Sequence, residues 1–114
     1  MKITLYHNPQ CSKSRQTLAL LQEKGVAVSI IDYLKTPLTV VELEIIAQKL
    51  DLEPRQFMRQ GEPEYENFAA ENLTRQALLE SIVKYPQLLE RPIAVTETKA
   101  VIGRPPENVL AFLM

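Results

Sequence analysis

Tyr6-His7-Asn8-Pro9-Gln10-Cys11-Ser12-Lys13-Ser14-Arg15 turns a strand into a helix, and its reading decides the fold. Upstream, Lys2-Ile3-Thr4-Leu5-Tyr6 alternates polar and apolar side chains, the period of a strand with one buried face. His7-Asn8-Pro9-Gln10 breaks that alternation and reads as a loop. From Ser12 onward, Leu18, Ala19, Leu20 and Leu21 supply the apolar stripe of a helix, and Gly25 stands where a left-handed residue would close it. Val26 to Tyr33, rich in Val and Ile, reads as a second strand. Strand, helix and strand within about thirty residues form a βαβ unit, whose strands run parallel.

Further along the chain the pattern changes. Thr39-Val40-Val41-Glu42 has the spacing of a capping box and predicts a helix through Leu50. Pro54 predicts a short helical turn carrying Phe57, Met58 and Arg59. Gln60 to Asn72 is polar, contains Gly61 and Pro63, and reads as a loop. Thr74 is placed to cap a helix that Pro86 stops after Tyr85. Pro92 to Thr96 and Ala100 to Gly103 read as a β-hairpin, and Pro105-Pro106 lead into a final helix from Glu107 to Leu113. The expectation is one α/β domain over residues 1–114, with a β-α-β unit and a β-β-α unit separated by an enlarged helical middle.

Composition narrows the function classes. A formal net charge of −1 gives no diffuse basic surface for nucleic acid. No apolar run approaches a membrane span, and the N-terminal residues lack a signal-peptide apolar core, so a cytoplasmic location is expected. The chain has one cysteine and one histidine. An intramolecular disulfide is therefore closed to it, and a structural zinc site is poorly supplied.

A lone cysteine by itself reads as a small buried hydrophobe. Its position argues otherwise. Cys11 stands immediately before a helix, where unpaired backbone N–H groups carry partial positive charge and favour a thiolate. Lys13 and Arg15 follow within a turn and are expected to add positive charge, and His7 lies four residues upstream in the same loop, close enough to help if the loop curls back. In dithiol redox proteins a second cysteine follows three residues on, and here that position is Ser14. Any redox cycle must take its second thiol from outside the chain.

The stretch around Cys11 resembles the His-Asn-Pro-x-Cys-x-x-Ser-Arg loop of the glutaredoxin-dependent arsenate reductases. Tyr33-Leu34-Lys35-Thr36-Pro37 resembles that family's Tyr-Leu-x-x-Pro segment. Pro54 to Arg59, Arg91 to Thr96 and Gly103-Arg104-Pro105 resemble its later arginine motifs, in order and over nearly the whole chain. The chain is similar in length to the short members of that family.

The resemblance implies a thioredoxin-like, glutaredoxin-like fold with the helical insertion between the second and third strands. It implies Cys11 as catalytic nucleophile and Arg59, Arg91 and Arg104 as ligands of an oxyanion. His7, Asn8, Ser14, Arg15 and Pro92 would support the site, with the Arg91–Pro92 bond cis. The implied reaction is reduction of arsenate to arsenite, with glutathione as co-substrate and glutaredoxin as partner. No metal, bound cofactor, nucleic acid or membrane enters it, and a monomer suffices. Two other readings fit a reactive Cys11 less fully: a glutathione-linked thiol oxidoreductase with another substrate, and a thioredoxin-fold transcription regulator, whose usual Cys-x-x-Cys switch Ser14 disables.

Overall fold

The computed structural model describes residues 2–113. They form β1 (Lys2–His7), α1 (Ser12–Glu23), β2 (Ala27–Asp32), α2 (Val40–Leu50), α3 (Arg75–Lys84), β3 (Ile93–Val95) and β4 (Ala100–Ile102). Four 3-10 segments, Pro54–Phe57, Pro63–Phe68, Pro86–Leu88 and Pro106–Leu113, complete the chain. It is a thioredoxin-like α/β fold. The chain divides into two compact units, Met1–Thr36 with Arg91–Met114, and the inserted Pro37–Glu90.

The first unit holds a four-stranded sheet in the order β2-β1-β3-β4. β1 pairs parallel with β2 from Lys2↔Ala27 to His7↔Asp32, as the βαβ reading requires. On its other side β1 pairs antiparallel with β3, which pairs antiparallel with β4. Thr96 N–H donates to Lys99 O at 2.8 Å and closes the β3–β4 hairpin. Ile3 and Leu5 of β1, Leu21 of α1, Ala94 of β3 and Val109 are fully buried together, with Leu18, Val28 and Val101 packed against them. That cluster ties α1 to the sheet and so fixes where its first turn lies. Gly25, at φ +72°, takes the left-handed conformation expected after α1, and its N–H bonds Gln22 O at 3.0 Å.

In the inserted unit, α2 opens on the capping box that the sequence spells. Glu42 N–H donates to Thr39 Oγ1 at 3.1 Å, and Thr39 N–H donates to Glu42 Oε1 at 2.9 Å. Leu43, Ile46 and Ala47 are its buried stripe. Thr74 caps α3, accepting from Ala77 N–H at 3.1 Å. Arg75 joins Glu44 and Glu53 through contacts of 2.8 Å.

Two segments differ from their sequence reading. The stretch from Gln60 to Asn72 contains the 3-10 helix Pro63–Phe68 rather than only loop. Arg55 explains its order. The guanidinium donates to Tyr65 OH at 2.7 Å, to Phe68 O at 2.8 Å and to Ala70 O, and buries Tyr65 beneath it. The final helix is 3-10 and begins at Pro106. There Asn108 N–H reaches back three residues to Pro105 O, while its side-chain amide donates to Ile102 O and Arg104 O. Such side-chain bonds to nearby carbonyls compete with α-helical pairing.

Candidate functional site

Cys11 is the N-cap of α1, with extended backbone (φ −95°, ψ 124°), and is half-buried. Three hydrogen bonds shape the turn that presents it. Cys11 N–H donates to Asn8 O at 3.0 Å, Gln10 N–H to Asn8 Oδ1 at 3.0 Å, and Arg15 N–H to Cys11 O at 3.0 Å. Asn8 is thus the hub of the loop, which is why an Asx residue stands there.

Ser14 is fully buried and locks the same loop from the helix side. Its Oγ accepts from Asn8 N–H at 3.0 Å and lies 2.7 Å from His7 Nδ1. The Ser14 hydroxyl proton goes to His7 Nδ1 when the neutral ring carries its own proton on Nε2, and Ser14 accepts a second hydrogen bond when the proton is on Nδ1.

Two guanidinium groups of the first unit converge on the sulfur. Arg104 Nη1 lies 3.8 Å from Cys11 Sγ and 3.3 Å from Arg91 O. Arg91 acts on the thiol as both hydrogen-bond donor and charge. Burial pushes the Cys11 pKa up, and this is the largest single influence. Together the Ser14 amide, the Arg91 hydrogen bond, the Lys13 amide and the Arg91 charge outweigh it, so the pKa lies below the ordinary thiol value. The neutral thiol makes no cap hydrogen bond. The first-turn amides become partners of the sulfur when it ionises.

The source of activation therefore differs in part from the sequence expectation. Lys13 contributes through its backbone, and Arg15 turns its guanidinium to Pro9 O at 2.9 Å. His7 is not a cationic neighbour of the thiol. Burial lowers its pKa, Asp32 opposes that effect and Arg15 adds to it, leaving the ring neutral and engaged with Ser14. A sequence shows that these residues are near one another in the chain but not which way each side chain turns.

Pro92, which follows Arg91, is buried and its peptide bond is cis, as the motif resemblance implies. A second cis bond, Arg104–Pro105, had no counterpart in the sequence reading. Arg59 belongs to the inserted unit. Its N–H donates to Leu88 O at 2.6 Å, and its Nε lies 3.4 Å from Glu62 Oε1. Thr17 and Gly103, both buried beside this site, escaped the sequence reading; Gly103 stood only as part of a motif.

A single cysteine at the N-terminus of the helix in a βαβ unit, beside a cis-proline that leads into an antiparallel strand, defines a thioredoxin-like protein of the one-cysteine kind. The chain belongs to the ArsC family, whose profile matches residues 6–112. It is 45% identical over 116 residues to an arsenate reductase of Haemophilus influenzae, covering 99% of this chain and 100% of that protein. An arsenate reductase of Escherichia coli is 36% identical over 113 residues, covering 97% of this chain and 80% of its own. The solved arsenate reductase of Vibrio cholerae matches with a TM-score of 0.95 at 46% identity, over 97% of both chains.

Proposed function

We propose that this protein reduces arsenate to arsenite, with Cys11 as nucleophile and glutathione and glutaredoxin as the source of electrons. One observation carries the reading: the chain's only cysteine sits at an uncapped helix N-terminus with Arg91 and Arg104 turned toward it. A tetrahedral oxyanion suits that arrangement, since guanidinium groups offer paired charge-assisted hydrogen bonds and the first-turn amides add more. The relatives named as arsenate reductases select arsenate among such oxyanions. Arg59 enters the proposal through its motif alone.

In the proposed cycle the Cys11 thiolate attacks arsenic and expels hydroxide or water, forming a sulfur–arsenic bond. Glutathione thiolate then attacks the Cys11 sulfur. The electron pair of the breaking sulfur–arsenic bond passes to arsenic, which leaves as arsenite, and a Cys11–glutathione disulfide remains. Glutaredoxin takes the glutathione and frees the thiolate. The count supports an external thiol: two electrons are needed, one disulfide supplies them, and the chain holds one sulfur for it.

Intact mass after incubation with arsenate and glutathione, without glutaredoxin, tests the cycle. One glutathionyl group is expected, and Cys11→Ser should abolish it. Steady turnover with thioredoxin as the only thiol source would refute the glutathione route.

A further inference from the structure

Three elements that build the sulfur's surroundings meet at Gly103. Its N–H donates to Pro92 O at 2.8 Å, next to Arg91. Its carbonyl lies 3.3 Å from the Thr17 hydroxyl of α1. Its own carbonyl carbon is bonded to Arg104. There is no room here for a side chain. A Cβ on Gly103 would stand 2.6 Å from Thr17 Oγ1, 2.9 Å from Pro92 Cγ and 3.1 Å from Thr17 Cγ2.

Thr17 is poorly able to yield. It is fully buried, its β-branched side chain is stiff about χ1, and its hydroxyl is held by Lys13 O at 2.8 Å. Lys13 lies in the turn whose amides face Cys11. A bulkier residue at 103 must therefore push α1 away from the segment carrying Pro92 and Arg104. Gly25 and Gly61 have open space where a Cβ would go. The close approach is particular to this glycine.

We propose that Gly103 is a positioning residue: the missing side chain lets α1, the start of β3 and the Arg104 segment close on one another, and so sets Arg91 and Arg104 against the Cys11 sulfur. It touches no reacting atom. Its influence runs through the distance between donors and thiolate, which falls steeply in value as groups separate; a displacement near 1 Å costs a reaction about a hundredfold. The inference concerns the same site as the proposed arsenate chemistry but needs only a reactive Cys11.

The test is the pH profile of Cys11 alkylation by iodoacetamide, which uses no arsenate and so stands apart from the proposed reaction. Gly103→Ala should move the midpoint toward that of an unperturbed thiol and slow alkylation at neutral pH about tenfold. A packing defect without a positioning role would lower the melting temperature and leave the midpoint in place. The second arm repeats the glycine substitution in Thr17→Ala protein, where two of the three close contacts are gone. The shift caused by Gly103→Ala should there be at least halved. Should Gly103→Ala not fold alone, the paired variant decides by its own midpoint, which should lie above that of Thr17→Ala because the 2.9 Å approach to Pro92 Cγ remains, and an unmoved midpoint there overturns the proposal. An unmoved midpoint in folded Gly103→Ala overturns the proposal. So does an equal shift in the Thr17→Ala background, or a paired variant that fails to fold where Thr17→Ala folds.

Discussion

Two helices of this protein begin in opposite ways. α2 starts with Thr39 and Glu42 satisfying each other's backbone amides, and an acidic side chain lies in its first turn. α1 starts with Cys11, makes no side-chain cap bond, and has no acid in its first turn. Glu42 and Ser14 hold the same place, three residues after the cap. Glu42 reaches back to its own cap, whereas Ser14 turns away to His7 and Asn8. One terminus uses its amides for stability. The other leaves them to a thiolate and to whatever anion the thiolate meets.

The sharpest break of this contrast is Cys11→Ser. Turnover should fall to the uncatalysed level, because no other thiol exists in the chain. Serine is also a better cap than cysteine, so the variant should be more stable by about 0.5–1 kcal/mol, read by urea unfolding. A variant less stable than the parent would show that the sulfur's contacts hold α1 more firmly than a cap does.

Arg91→Lys comes next. It keeps the charge and loses the guanidinium fork, so kcat/KM for arsenate should drop by about tenfold or more and the alkylation midpoint of Cys11 should rise. Unchanged values for both would show that the Arg91 guanidinium acts on neither the thiol nor the oxyanion.

A pair of substitutions then separates the two helix starts. Thr39→Ala should cost about 1 kcal/mol of stability and leave Cys11 alkylation as it is. Lys13→Glu places an acid where α1 has none. It should weaken oxyanion binding roughly two- to fivefold and raise the alkylation midpoint, with little loss of stability. Equal effects of the two on Cys11 would dissolve the distinction between a structural and a functional terminus.

This contrast was only half legible in the amino-acid sequence. Thr39 and Glu42 are local: a capping box depends on residues three apart, and its pattern survives as written. The strand, helix and strand from Lys2 to Tyr33 were legible for the same reason, since periodicity and turn residues act over short range. Cys11 was found by its place before a helix. Arg91 and Arg104 were linked to it by motif resemblance, and their approach to the sulfur depends on packing over eighty residues of chain. The order of Pro63–Phe68 was hidden because it comes from one side chain, Arg55, whose type says nothing of where it points. Gly103 was hidden too, since a close approach leaves no trace until both surfaces are known.

The smallest expected effect concerns the lock behind Ser14. Burial lowers the pKa of His7 from its ordinary 6.5, against the charge of Asp32 beside it on β2 and with that of Arg15. Between the folded value and 6.5 the unfolded chain binds more protons, so stability rises with pH through that window. The contribution is fully present above the unfolded pKa and is lost as pH falls through the folded one. Chemistry at Ser14 points the same way for the Nε2–H tautomer. A protonated His7 would have to donate from Nδ1 to an oxygen already accepting from Asn8 N–H, and the serine proton would need a new acceptor. The Glu44 carboxyl, held below its ordinary 4.5 by its hydrogen bond to Arg75, loses its share of stability as pH falls below 4.5, under the range of the measurement that follows. Melting temperatures of the parent and His7→Gln between pH 8 and pH 5 separate these groups. The parent should lose stability more steeply as pH falls below 6.5, and parallel curves would mean that His7 carries no proton-linked part of the lock.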